Sequence, residues 1–160
     1  MNYFKKLLGD RLYLSPKGTS DEEILKFTEW MNDFQVTDYI GRTAQIVTLT
    51  EEKEFLEKND KNNNSKTFNI VELKSNKLIG TIGLHRFNYT ERSAVLGIFI
   101  GDSDFRSNGY GTEAIRLLLE YGFKYLNLHS IRLDLLSINE RAHKCYLKCG
   151  FKDTGCNREQ

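Results

Sequence analysis

Apolar positions recur along the chain with two different periods. Ile24, Phe27, Met31 and Phe34 return every three or four residues, directly behind Ser20-Asp21-Glu22-Glu23. A serine with a glutamate three residues on is a capping box, so the spacing predicts a helix starting at Asp21. Thr50 is placed to cap a second helix carrying Phe55 and Leu56. The stretch Lys58 to Lys66, KNDKNNNSK, is polar throughout and reads as an exposed loop. Beyond it the chain reads as strands. Thr67 to Leu73 and Lys77 to Leu84 form two strands about the turn Lys74-Ser75-Asn76-Lys77, and Ala94 to Gly101 forms a third after the polar turn Asn88 to Ser93. Arg11 to Ser15 is a short strand ahead of them all. After a glycine-bearing loop, Asp102 to Gly111, the residues Ile115, Leu118, Leu119, Gly122 and Leu126 lie on one stripe of an amphipathic helix. Ile131, Leu133 and Leu135 alternate as a strand. Glu140 to Lys148 form a short helix ended by Gly150, and Phe151 to Gly155 begin a last strand. This order predicts a mixed α/β fold with a mainly antiparallel sheet, not a doubly wound parallel one.

The 160 residues suffice for one domain, taken here as 1–160, and 39% hydrophobic with 28% charged residues suits a folded chain. Lys and Arg total 23 against 22 for Asp and Glu, a balance that argues against a nucleic-acid-binding face. No window has the apolar run of a membrane span, and the start, MNYFKKLLGDRLYL, has no signal-peptide core. A cytoplasmic protein with no membrane partner is expected. Cys145, Cys149 and Cys156 have only His143 nearby as a further metal ligand, so reduced thiols are expected and no metal site.

The segment richest in chemistry is Arg106-Ser107-Asn108-Gly109-Tyr110-Gly111-Thr112, between a strand and the start of the strongest helix. Helix N-termini present unpaired N–H groups and partial positive charge. Two glycines let several N–H groups converge, which makes a pyrophosphate cradle to which Arg106 adds charge. Gly109 to Ala114 also matches the dinucleotide fingerprint formally, with Asp134 twenty residues on. Against that match, Asp102 to Asn108 separate the glycines from their strand, and too little chain follows to build a Rossmann sheet.

The second segment is Asn139-Glu140-Arg141-Ala142-His143-Lys144-Cys145-Tyr146-Leu147-Lys148-Cys149-Gly150-Phe151. With Arg106 to Thr112 before it, Arg-Leu-Tyr-Leu at Arg11 to Leu14, and Ile-Gly-Leu around Gly83, the chain resembles the GNAT superfamily of N-acetyltransferases. The likeness is to the branch of ribosomal-protein N-terminal and spermidine acetyltransferases, and it covers nearly the whole chain. It implies a sheet splayed between the Ala94 and Ser130 strands, flanked by helices. Acetyl-CoA would enter that gap as co-substrate. Its pantetheine arm would pair with Ile98, Phe99 and Ile100, its pyrophosphate would rest on Asn108 to Thr112, and Asn139 would bond the arm. A backbone N–H of that strand would polarise the thioester carbonyl.

Tyr146 is either an aromatic packing the last helix or, as the resemblance implies, the general acid for the thiolate leaving group. Relatives often carry a glutamate base just before the Leu-Gly of the third meander strand, where this chain has Val95. His85, Glu91 or a water chain is left as the base, with His85 chosen for its intrinsic pKa. Trp30, Asp33 and Tyr39 are the expected acceptor residues, able to hold a cationic amine by charge and cation–π contact. Core packing for Trp30 and a turn cap for Asp33 are the competing roles. The family normally continues through one more strand, so the final strand is expected to be missing. The open edge this leaves, and the family, point to a homodimer. The functions to separate are acetyl transfer to a primary amine (a protein N-terminus, a polyamine or a small metabolite) by direct attack, and a silent acyl-CoA-binding sensor or assembly subunit.

Overall fold

The computed structural model describes residues 3–38, 40, 46–62, 64–134 and 139–153. Six strands form one sheet in chain order: β1 (Leu7–Leu8), β2 (Leu12–Pro16), β3 (Ser65–Glu72), β4 (Lys77–Asn88), β5 (Ser93–Ile100) and β6 (Ser130–Arg132). Neighbours are antiparallel except β5 and β6, which run parallel with a helix crossing between them. Helices α1 (Asp21–Met31), α2 (Phe34–Thr37) and α3 (Leu49–Asp60) precede the β3–β5 meander, and α4 (Tyr110–Glu120) and α5 (Glu140–Lys148) follow it.

The first helix begins where the capping box requires. The Ser20 hydroxyl accepts from the Glu23 amide at 3.3 Å, and the Glu23 carboxylate takes the Ser20 amide at 3.0 Å. That buried carboxylate also accepts from the Gly18 amide, the Ser20 hydroxyl and the Asn69 side chain. Burial alone would raise the Glu23 pKa, but these bonds outweigh it and hold it below the usual carboxylate value. The second long helix starts at Leu49, not after Thr50. Its cap is Thr48, whose hydroxyl accepts from the Glu51 amide at 3.2 Å.

Two apolar clusters sandwich the sheet. Ile24, Phe27, Trp30 and Met31 of α1 pack with Leu56 of α3, Val36 and Leu78. Ala114, Ile115 and Leu118 of α4 pack on Leu12, Leu14, Ile70, Ile82, Leu84 and Leu96, with Tyr146 of α5 in the same cluster. After α4 the chain makes one π-helical turn, Tyr121–Tyr125, in which the Leu126 amide reaches back to the Tyr121 carbonyl. Gly122 sits there because a side chain would collide with Ile131 of β6. Gly150, at φ +95°, ends α5, and the Phe151 amide bonds to the Tyr146 carbonyl as in a Schellman cap.

The gap that positions the site lies between β5 and β6. Among the described residues, Ser93, Ala94 and Val95 pair with Ser130, Ile131 and Arg132. Residues 96–100 of β5 continue along β4 beyond the described pairing with β6. Residues 151–153 carry no strand. The rest of the expected last strand, the outer half of the Ser130 strand and Cys156 lie outside the described residues.

Candidate active site

The opening beside β5 presents backbone, not only side chains. Gly80 of β4 has no room for a side chain because the Phe99 carbonyl points at it. Strand alternation then turns the amides and carbonyls of Ile98 and Ile100 away from β4 and into the gap. The Ile100 carbonyl accepts from Arg106 Nε at 3.0 Å, and the Gly101 carbonyl from Arg106 Nη2 at 2.7 Å. Arg106 therefore clamps the end of β5 to the following loop, a role the sequence did not announce.

That loop passes through a 3₁₀ turn, Ser103–Phe105, and reaches α4 with Ser107 at φ +61° and Gly109 at φ +86°. Gly109 is the N-cap of α4, in a left-handed conformation that glycine adopts without strain. It brings the unpaired amides of the first turn of α4 to the edge of a cleft of about 550 Å³. Ile98, Phe99, Ile100, Arg106, Ser107, Gly109, Gly111, Thr112 and Asn139 all line this cleft. Asn108 and Tyr110 alternate to the back of the loop. The Asn108 side chain donates to the Asp104 carbonyl, and the Tyr110 hydroxyl donates to Glu72 at 2.7 Å. Helix α5 adds Arg141, Lys144 and Lys148 to the same wall. Their spacing of three and four residues is a helix stripe that the sequence held but that polarity alone did not distinguish from a solvated face.

Tyr146 is 9% exposed, packs edge-on against Phe151 and lines this first cleft. Burial, with smaller contributions from Cys145 and Cys149, pushes its phenol up to about 12. It also lines a second cleft of about 460 Å³, and the two share Ile40, Ile98, Phe99, Asn139 and Tyr146. The second cleft contains His85, whose Nδ1 lies 3.0 Å from the Ser65 hydroxyl. The imidazole lies across Gly83, where a side chain would crowd it, and within van der Waals range of Gly97. His85 is paired directly with Val95 on β5, so it stands beside the position of the absent glutamate. Burial, then Lys17 and Arg86, lowers its pKa and favours the neutral ring. Glu91 lies exposed in the β4–β5 turn and lines neither cleft.

Two of the acceptor residues expected from the sequence, Trp30 and Asp33, stand away from both clefts. Trp30 is 6% exposed, with Phe27 and Phe99 edge-on to its ring, and the ring fills the space over Gly101. It belongs to the core and lines neither cleft. Asp33 caps α2, accepting from the Gln35 amide at 2.9 Å, and likewise lines neither. Tyr39 lies outside the described residues. The second cleft is walled instead by Glu52, Phe55 and Asn59 of α3, with Lys17 and Asp134. Those α3 positions recur at three and four residues, a stripe with too little apolar character to stand out.

A family model of the acetyltransferase (GNAT) domain matches residues 11–152. The chain belongs to the GNAT family. A probable N-acetyltransferase of Bacillus subtilis (strain 168), YjcK, is 30% identical over 162 residues, spanning 96% of this chain and 87% of that one. The spermidine N(1)-acetyltransferase of Vibrio cholerae is 36% identical over 86 residues, 54% of this chain and 49% of that one. The crystal structure of spermidine N-acetyltransferase from Vibrio cholerae, in complex with CoA and spermine, superposes with a TM-score of 0.81 at 26% identity, covering 92% of this chain and 84% of that one. This GNAT enzyme uses acetyl-CoA as its donor. The first cleft fits that donor: outward backbone groups on β5, helix N-terminal amides and four cationic side chains stand against one lining carboxylate, Glu140.

Proposed function

We propose that this GNAT enzyme transfers acetyl from acetyl-CoA directly to a primary amine, with the donor in the first cleft and the acceptor in the second. The observation that carries the reading is the junction of the two clefts at Ile98, Phe99, Asn139 and Tyr146. A cationic basin and a cleft holding a neutral imidazole meet across one exposed stretch of strand. Acetyl-CoA supplies an activated acyl carbon and a thiolate leaving group. The Ile98 amide, turned into the gap, donates to the thioester carbonyl and favours charge developing there. His85 takes the proton the acceptor's ammonium must lose before its nitrogen can attack. As the C–N bond forms and the C–S bond breaks, Tyr146 donates to the departing sulfur. A phenol held near 12 is a weaker acid than a thiol at about 8.5, so Tyr146 steadies the departing thiolate by hydrogen bonding and keeps its proton.

The carboxylates of Glu52 and Asp134 and the ring of Phe55 in the second cleft support a cationic acceptor. The spermidine acetyltransferases among the relatives make polyamines the first acceptors to test. Release of CoA thiol from acetyl-CoA is the assay, with spermidine, peptides bearing free N-termini and aminoglycosides as acceptors. Acceptor-dependent release is expected. Tight acetyl-CoA binding with no release for any amine would overturn the reading.

A further inference from the structure

Arg11 sits just before β2, nearly a hundred residues from the donor loop in sequence, yet its side chain grips that loop from behind. Nη1 donates to the Asn108 carbonyl at 2.9 Å. Nε donates to Glu113 Oε1 at 3.1 Å. The guanidinium lies over the Tyr110 ring at 4.2 Å, and Nη2 stands where a Gly109 side chain would be, at 3.1 Å. The neighbouring groups close the arrangement. Glu113 Oε2 accepts the backbone amides of Arg11 and Leu12 at 2.9 and 3.2 Å. The Tyr110 hydroxyl is tied to Glu72 at the end of β3. Arg11 does not line the first cleft, whereas Ser107, Gly109, Gly111 and Thr112 do.

We propose that Arg11 is the positioning residue for the donor loop: it fixes Asn108, Gly109 and Tyr110 so that the amides of the α4 N-terminus face the pyrophosphate of acetyl-CoA. This rests on the reading of the first cleft as the donor site. The planar fork explains why arginine stands here. It can hold a carboxylate, a carbonyl and an aromatic face at once, which a lysine ammonium cannot. A loop with two left-handed residues loses order readily when a tether is removed, and the lost order must be regained on binding.

The consequence is specific to the part of the donor that the loop touches. CoA affinity is measured by calorimetry, and turnover is followed with acetyl-CoA and with S-acetyl-pantetheine, which lacks the nucleotide and pyrophosphate. Arg11→Ala is expected to raise the Kd for CoA and the KM for acetyl-CoA by about tenfold or more, at nearly unchanged kcat. With S-acetyl-pantetheine the variant and the parent enzyme should match. Arg11→Lys keeps the charge without the fork and should fall between them, and it serves as the test if the alanine variant does not fold. Equal losses with both donors, or unchanged CoA affinity in a folded variant, would overturn the assignment. CoA binding in the parent without turnover on any amine would sink the acceptor reading and leave this one standing on the calorimetry. No CoA binding in the parent would overturn both.

Discussion

At the scale of single residues, the proposed chemistry divides between Tyr146, where the clefts meet, and His85, in the second cleft. Tyr146→Phe removes the hydroxyl while keeping the ring against Phe151, so kcat should fall by about 10²-fold or more with CoA affinity nearly unchanged. An unchanged kcat would return Tyr146 to a packing role. For His85 the sign follows from its environment. Its native pKa lies below the ordinary histidine value, so the neutral, proton-accepting form persists through neutral pH and is lost only in acid. The acid limb of kcat/KM should therefore have its midpoint below the ordinary histidine range. His85→Gln should abolish that limb and cost about tenfold or more across neutral pH. A limb that survives the substitution would point to another base. The sequence proposes Tyr146 from the family's motif and His85 from its intrinsic pKa, and in the fold both line the second cleft. For Trp30 and Asp33 the sequence left two roles open, because an aromatic and a carboxylate near a helix end look alike whether they face a ligand, a core or a backbone amide. Only packing separates these cases: the Trp30 ring closes over Gly101, and Asp33 bonds to Gln35.

At the scale of elements, the buried Glu23 carboxylate joins the start of α1 to β3 through Asn69. Glu23→Gln weakens charge-assisted bonds at a buried site and should cost about 2 kcal/mol in denaturant unfolding at neutral pH. Because the native pKa is depressed, that stabilisation is present in full above the ordinary carboxylate value. It is lost as pH falls through the lower native one. The variant should accordingly lose less stability on acidification than the parent, and a parallel pH dependence of the two would contradict this. The same helix start was readable because Ser20 and Glu23 have the capping spacing. Thr48 and Glu51 have it too, whereas Thr50 is followed at that distance by Lys53, which explains where α3 begins. The two-residue β1 and four-residue α2 are too short to show any period. Within the π-helical turn after α4, a side chain at Gly122 would meet Ile131 from across the fold, a proximity no local pattern encodes.

At the scale of the whole molecule, both clefts lie against Ile98 and Phe99 of β5, beyond its described pairing with β6. The sequence pattern supplied the strands, and the family resemblance supplied the splay. The α5 cations and the α3 stripe that divide the opening into two clefts emerged only from the assembled fold. Two clefts that meet at one point require both substrates to be bound together for transfer. Cys145 also lines the first cleft, with its sulfur 3.1 Å from the Thr112 hydroxyl, so a covalent acetyl-enzyme is the concrete alternative. Initial rates measured while varying acetyl-CoA at several fixed amine concentrations distinguish the two. Direct transfer predicts intersecting double-reciprocal lines and no burst of CoA when the amine is withheld. Parallel lines, with one equivalent of CoA released before any acceptor is added, would contradict it.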